Sequence, residues 1–390
     1  MSTFELIGFR DLPLAACFTW LAVVLILYGV CAWLWARVRR QWVGIPFSGT
    51  GHCCFITGAG DGLGQRVALR FAAEYAAHHC SQEEFADRGP DLSPLSQVFC
   101  GVLSEEQGRA LVGLARQQTG DDCARFLHPV VCDVASDASV EACRKTVEDY
   151  CAQHGLALKV VVNNAGVSAF GFAECLPLAR FRQNMEVNFF GAVRVSKAFL
   201  PILRANKPSR LLNMGSVGAL KASGFGSAYL CSKAAMCHLN ECLREELQPL
   251  GVRVVMLQPG FFASNLLDRA SSNGASESDP ALSRVYCDYG AMMAETAKNI
   301  AIFERLNGGI GGAACIAEAA LEAATARFPK SRYLLGIDGY IRALSQHIIG
   351  NIVIHLPTFV TDLAFGMMMR SARKSLRPQA AQSDEDTKDK

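Results

Sequence analysis

Phe55-Ile56-Thr57-Gly58-Ala59-Gly60-Asp61-Gly62-Leu63-Gly64-Gln65-Arg66 is the stretch whose reading decides the fold. An apolar run, Cys53–Ile56, leads into a turn with four glycines, and an amphipathic segment, Gln65–Ala77, leads out of it. Glycine lets a backbone turn sharply and approach a pyrophosphate closely. The first turn of a following helix adds free N–H donors and the positive end of its dipole. A glycine-rich turn is a weak signal on its own, and its place between a strand and a helix strengthens it. No Gly-Lys-Ser/Thr follows, so the phosphate loop of P-loop NTPases does not fit.

Outward from this turn the pattern repeats. Val98–Leu103, Val130–Cys132, Val160–Val162, Leu211–Asn213 and Val252–Leu257 read as further buried strands. Helical lengths such as Val140–His154 and Phe181–Leu203 separate them. Strands alternating with helices predict a parallel sheet covered on both faces, with right-handed crossovers. Ligands in such sheets gather at the carboxyl ends of strands. Two short motifs fall at strand ends: Cys132-Asp133-Val134, whose carboxylate suits an adenine amino group, and Asn163-Asn164-Ala165-Gly166. Each is also compatible with plain turn chemistry.

Ser216 follows the strand at Leu211, and Tyr229 and Lys233 come later at i and i+4, on one face of a helix. An ammonium beside a phenol favours the phenolate and lowers its pKa from ~10. Such a phenolate takes a proton from an alcohol, and the phenol returns it to a developing alkoxide. Ser216 suits a donor aimed at the oxygen where charge grows. A serine hydrolase is not supported, because Met214-Gly215-Ser216-Val217-Gly218 lacks a glycine two residues before the serine.

These motifs together resemble the short-chain dehydrogenase/reductase superfamily, across roughly residues 50–265. The resemblance implies a Rossmann-like, doubly wound α/β sheet of about seven parallel strands. It implies Asn188, Ser216, Tyr229 and Lys233 as the catalytic set, Asn188 holding a water that relays protons to the lysine. It implies cofactor contacts from Thr57, Gly58, Asp61, Gly62, Leu63, Gly64, Asp133, Val134, Asn164, Ala165, Gly166, Tyr229 and Lys233. Pro259, Gly260 and Ser264 match the segment that touches the nicotinamide, with serine where the family usually has threonine. Val98–Leu103, Gly166–Gly171 and Leu243–Leu247 are similar to the branch holding retinol, hydroxysteroid and mitochondrial 3-hydroxybutyrate dehydrogenases. An insertion over 81–96 and a long C-terminal extension depart from it. Some members dimerise through the helix of the tyrosine and lysine, so a homodimer is a further expectation.

The cofactor reading favours NAD over NADP. Asp61 stands in the turn and Ser104, Glu105 and Glu106 follow the second strand, where a carboxylate would repel a 2′-phosphate. Arg66 and Arg109 keep a phosphate within reach. Two alternatives to an NAD-dependent lipid-alcohol dehydrogenase are an NADPH-dependent reductase of a lipid ketone and a non-catalytic membrane scaffold with this fold.

Composition bounds the rest. Of 390 residues, 51% are hydrophobic and 19% charged, against ~25% charged in an average soluble domain. The excess of apolar residues begins at Leu12–Ala36, which carries no charge and is long enough for a transmembrane helix, since ~20 apolar residues span a bilayer. A signal peptide would be shorter, with a basic start and small residues at its end. Arg37, Arg39 and Arg40 place the following chain on the cytosolic side, consistent with an endoplasmic reticulum membrane. The net charge of +2 gives no reason to expect nucleic acid. The 16 cysteines form no Cys-x-x-Cys pair, so no metal site is expected, and free thiols fit a reducing compartment. The resulting organisation is an anchor over 1–45, a catalytic domain over 46–282, a helical substrate- or membrane-associated region over 283–369 and a polar tail over 370–390. Within the third, His347–Met369 suits either a hairpin on a membrane surface or a buried helix with a loop.

Overall fold

A computed structural model describes residues 51–80, 96–220, 224–260, 262 and 312–336. All of these except Thr325–Phe328 belong to one compact unit. Its seven strands are β1 (His52–Thr57), β2 (Gln97–Val102), β3 (Leu127–Val131), β4 (Ala157–Asn163), β5 (Ser209–Met214), β6 (Val252–Pro259) and β7 (Arg332–Leu335). They form one sheet in the order β3-β2-β1-β4-β5-β6-β7, and every pairing is parallel.

Parallel strands need crossover helices, and these cover both faces. The helices are α1 (Gly62–Cys80), α2 (Glu105–Thr119), α3 (Asp137–His154), α4 (Leu178–Met185), α5 (Gly191–Ala205), α6 (Ser227–Leu247) and α7 (Ala314–Thr325). Phe71 and Tyr75 of α1, Leu111 of α2 and Ile316 of α7 pack with Ile56, Val162 and Leu257 on one face. Val147 of α3, Val195 and Phe199 of α5 and Leu247 of α6 pack with Phe55, Val161 and Val254 on the other. Covered twice, β2 and β5 are buried at every residue, so neither alternates, and β5 buries Ser209, Arg210 and Asn213 along with its apolar residues.

Local sequence explains the boundaries. Ser104 and Ser136 cap α2 and α3, accepting bonds from the amides of Gln107 and Ser139. Gly155 ends α3 at φ 64°, a left-handed conformation that suits glycine. Pro129 is tolerated in β3 because that strand lies at the sheet edge.

Three sequence expectations are altered. The single helix over Phe181–Leu203 is instead α4, a π-helical turn at Glu186–Phe190, and α5. The third strand starts at Leu127 and ends before Cys132. The sheet continues past residue 282: β7 lies within 283–369 and pairs with β6. Its four residues bury only Tyr333 and Leu335, too short an alternation to stand out in the sequence. Among the described residues no helix is long and apolar enough to cross a membrane. The Leu12–Ala36 segment, most of the 81–96 insertion, His347–Met369 and the tail lie outside the described residues.

The Phe55 and Phe199 rings, both fully buried, stack at 4.6 Å and tie β1 to α5. Phe199→Ala is expected to cost ~3–5 kcal/mol, read as a lowered midpoint of urea unfolding. A loss below about 1 kcal/mol would mean that this stack does not hold the layer together.

Candidate active site

The glycine turn sits at the end of β1, beside β4, where the strand order reverses. Thr57 and Asn164 brace it, and Gln65 Nε2 adds a bond to the Gly60 carbonyl at 3.2 Å. Thr57 Oγ1 accepts the amides of Asn164 and Ala165, each at 3.0 Å, and donates to the Val162 carbonyl at 3.3 Å. Asn164 Nδ2 donates to the carbonyls of Thr57 (2.9 Å) and Gly58 (3.2 Å). Gly58 and Gly62 take φ of 64° and 58°, conformations that side chains disfavour. At Gly64 a Cβ would lie 2.3 Å from both Asn164 Nδ2 and the Gly58 carbonyl oxygen. At Gly60 it would lie 2.9 Å from Gln107 Oε1, which accepts the Leu103 amide. This is a cradle that Cβ atoms would fill, at the N-terminus of a 19-residue helix with no acid in its first turn. It fits a pyrophosphate.

Asn188 lies in the π-helical turn, a local geometry frequent at functional sites. Its Oδ1 accepts from the Val167 amide at 2.8 Å, and its Nδ2 donates to the Val167 carbonyl (2.9 Å) and to Ser232 Oγ (2.8 Å). Arg194 secures this turn from outside. It pairs with Glu186 and Asp137 and donates to the Val134 carbonyl at 3.2 Å. Gly166 stands where Asn188 and Lys233 approach. A Cβ there would be 3.1 Å from Asn188 Oδ1 and 3.6 Å from Lys233 Nζ.

Lys233 is 4% exposed, and its ammonium donates to the Met214 carbonyl at 2.8 Å. It lies 5.9 Å from the centroid of the Tyr229 ring. Burial lowers the lysine to about 8, countered in part by the Cys237 thiol. Burial around the Tyr229 hydroxyl raises that phenol to about 12, while a hydrogen bond with Ser216 pulls it down. Ser216 Oγ also accepts the Gly218 amide at 3.1 Å, which fixes its direction. The protein therefore holds a neutral phenol in contact with a hydroxyl and near a buried cation. Added positive charge beside that phenol would favour its ionisation.

The remaining positions differ in their surroundings. Asp133 is exposed, and its Oδ1 accepts the Ala135 amide at 3.0 Å, closing a local turn. The Val134 side chain is buried in the core beside Gly191, leaving only its backbone for a ligand. Pro259 ends β6, and the Gly260 amide donates to the Leu335 carbonyl at 2.7 Å. Ser264 lies outside the described residues. Sequence reasoning passed over Ser232 and Gln258, which bond to this group. Their signal is polarity at fully buried positions, visible for Gln258 as an amide at the end of an apolar strand.

The family model described as short chain dehydrogenase matches residues 97–274. Estradiol 17-beta-dehydrogenase 2 of Rattus norvegicus is 36% identical over 176 residues, 45% of this chain and 44% of the relative. The chain thus spans less than half the length of that relative in the match. The 17-beta-hydroxysteroid dehydrogenase type 6 of Bos taurus is 30% identical over 250 residues, covering 64% of this chain and 67% of the relative. Mitochondrial D-beta-hydroxybutyrate dehydrogenase of Mus musculus is 28% identical over 300 residues, covering 76% and 80%. Among solved structures, a short chain dehydrogenase/reductase from Burkholderia phymatum in complex with NAD is similar in fold. It has a TM-score of 0.57 at 21% identity, covering 82% of this chain and 96% of the other. The chain belongs to the short-chain dehydrogenase family, in the branch of the hydroxysteroid and hydroxybutyrate dehydrogenases.

Asn164→Ala removes two hydrogen bonds that hold the turn. At ~1 kcal/mol each, this is expected to weaken binding of a reduced nicotinamide dinucleotide about 10- to 30-fold. Thr57→Ser, which keeps its hydroxyl, should bind nearly as the wild type. Fluorescence titration of the reduced dinucleotide checks both, and equal affinity in the alanine variant would show that the brace is dispensable.

Proposed function

We propose that this chain is a membrane-anchored oxidoreductase that moves a hydride between a nicotinamide dinucleotide and a lipophilic alcohol or its carbonyl. The observation that carries the reading is the grouping of Ser216, Tyr229 and buried Lys233, whose ammonium donates to the Met214 carbonyl and lies 5.9 Å from the centre of the Tyr229 ring. In alcohol oxidation, the Tyr229 phenolate takes the hydroxyl proton, Ser216 holds the substrate oxygen, and Lys233 stabilises the phenolate. Asn188 links this group to the loop at Val167. The bound dinucleotide supplies the hydride acceptor. Thr57, Gly58, Asp61, Gly62, Leu63, Gly64, Asn164, Ala165 and Gly166 would hold its phosphates and neighbouring ribose. Asp133 and Val134 would face the adenine, and Pro259, Gly260 and Ser264 the nicotinamide.

The wall beside Tyr229 supports an apolar substrate. The Phe170 ring lies 5.7 Å from the Tyr229 ring, and Phe172 and Phe225 pack at 4.3 Å. The Gly171 amide joins those loops by donating to the Phe225 carbonyl at 2.7 Å. Flat apolar alcohols, including steroid- and retinoid-like ones, match such rings better than short polar acids. Two of the relatives above carry steroid names, and those names are consistent with this choice.

NAD is favoured as cofactor. Glu105 and Glu106 open α2 next to the end of β2, and Arg109, a basic side chain near this position, pairs with Glu105 at 3.4 Å. Leu12–Ala36 would anchor the chain, with the catalytic unit facing the cytosol at the endoplasmic reticulum. Pairing of two copies through α6 is the expected oligomer.

Tyr229→Phe should lower turnover of a steroid or retinoid alcohol by about 10²- to 10⁴-fold while changing dinucleotide affinity less than about twofold. Retained turnover would remove the proton-transfer role. In wild-type protein, oxidation should rise with pH as the phenol ionises, with its midpoint below the value of about 12 in the free protein, because oxidised nicotinamide adds positive charge. A flat profile between pH 6 and 10 would count against this chemistry.

A further inference from the structure

Gln258 sits in β6 immediately before Pro259, and its side chain is fully buried. Its Nε2 donates to the Ser216 carbonyl at 3.1 Å and to Cys237 Sγ at 3.4 Å. Cys237 follows Tyr229 and Lys233 at four-residue steps along α6, so the three share one helix face. The space around the amide is filled. A Cβ at Gly215 would lie 2.7 Å from Met256 Sδ, 3.3 Å from Gln258 Cγ and 3.5 Å from Cys237 Sγ.

The orientation of the amide follows from its neighbours. Turning it over would bring Oε1 against the Ser216 carbonyl, two acceptors with no proton between them. As it stands, Oε1 is buried with no hydrogen-bond partner among the described residues. A buried amide oxygen without a donor is destabilising, and an apolar side chain of the same length would avoid that cost. What glutamine supplies in exchange is its donor group. Through it, one side chain joins β6, the segment after β5 that carries Ser216 and helix α6 that carries Tyr229 and Lys233.

Resting on the reading above, we propose that Gln258 is the positioning residue of the hydride-transfer site, fixing the Ser216 peptide so that the serine hydroxyl stays against Tyr229. The Ser216 carbonyl also accepts the Ala219 amide at 3.1 Å, and Oγ accepts the Gly218 amide, so the backbone and hydroxyl of this residue are set together. Loss of the Gln258 bond leaves the carbonyl held by the Ala219 amide alone, so the peptide is less firmly set and the hydroxyl is less firmly held toward the phenol. The groups facing Tyr229 are few among the described residues. Lys233 and Cys237 come from its own helix, Ser216 from the segment after β5, and the uncharged Phe170 ring from the loop after β4. Ser216 is the member of this set that Gln258 touches directly, together with Cys237.

The test uses the full chain in detergent, with Gln258→Met and Gln258→Glu, alcohol oxidation across pH, and fluorescence titration of reduced dinucleotide. Gln258→Met is expected to lower kcat about ten- to a hundredfold, the range for a small misplacement of a reacting group. KM and dinucleotide affinity should stay within about twofold. Its rising limb should move to higher pH, because the serine bond that favours the phenolate is weakened. In Gln258→Glu the neutral acid can still donate to the Ser216 carbonyl and the carboxylate cannot, so its activity relative to wild type should fall as pH rises. An unmoved limb with wild-type kcat in Gln258→Met, or a loss shared equally by dinucleotide binding, overturns this inference alone. Absence of turnover in the wild-type protein overturns the hydride-transfer reading, and this inference with it.

Discussion

The clasp between the ends of β1 and β4 is the constraint on which the rest of the site depends. Where the strand order reverses, one crossover leaves toward one face of the sheet and the next toward the other, which opens a crevice. A turn beside such a crevice has backbone carbonyls with no ladder partner, and these need donors. Asn164 supplies them to Thr57 and Gly58, and the Thr57 hydroxyl accepts the amides of Asn164 and Ala165, the first of which is shared with the Val162 carbonyl. The glycine turn is thus held from both neighbouring strands, by Asn164 after β4 and by the Gly101 carbonyl of β2, as well as by its own Gln65. Positive φ at Gly58 and Gly62 and the crowding at Gly64 are then consequences of how closely the two strand ends are drawn together.

Below this clasp a line of buried polar side chains crosses the sheet. Asn163 donates to Ser196 and to Asn213, Asn213 donates to Asn240, and Asn240 donates to Glu241, which also accepts from Arg332. The line joins α5, β4, β5, α6 and the edge strand β7. Such a chain of bonds favours one arrangement of the elements it connects, although Asn163 Oδ1 has no partner among the described residues. Lys233 stands on this floor, held by the Met214 carbonyl at the end of β5. A cation fixed before any ligand arrives need not reorganise during proton transfer, which is where preorganised electrostatics derives its effect.

The sheet was legible wherever burial on both faces produced a largely apolar run, as at Cys53–Ile56 and at Val252–Leu257, the latter interrupted only by Arg253. The proposed reacting group stands out in the sequence because Tyr229 and Lys233 lie at helical spacing after a serine at a strand end. Three features were hidden. The π-helical turn at Glu186–Phe190 depends on Asn188 reaching Val167 and Ser232, contacts between segments far apart in the chain. Strand β7 is short and takes its identity from pairing with β6, which local pattern cannot reveal. Polar residues inside apolar strands, such as Asn213 and Gln258, stood in plain view, yet their partners are set by tertiary packing. The role of Asp133 in closing its own turn with Ala135 likewise shows only when the backbone geometry is known.

The distance in sequence between β6 and β7 also bears on how the protein is made. Pro259 ends β6 and Arg332 begins β7, so 73 residues of synthesis separate the two strands. At about 5–20 residues per second, a ribosome needs about 4–15 s to supply the partner. Through that interval the outer edge of β6 carries unpaired backbone groups, a template for pairing with another chain. Local helices form far faster than this, so the first six strands can assemble around an edge that is still open. The Gly260 amide, which finds the Leu335 carbonyl only after β7 arrives, marks the late completion of the sheet. The segment beside the proposed nicotinamide position is therefore among the last parts of the catalytic unit to acquire its final hydrogen bonds.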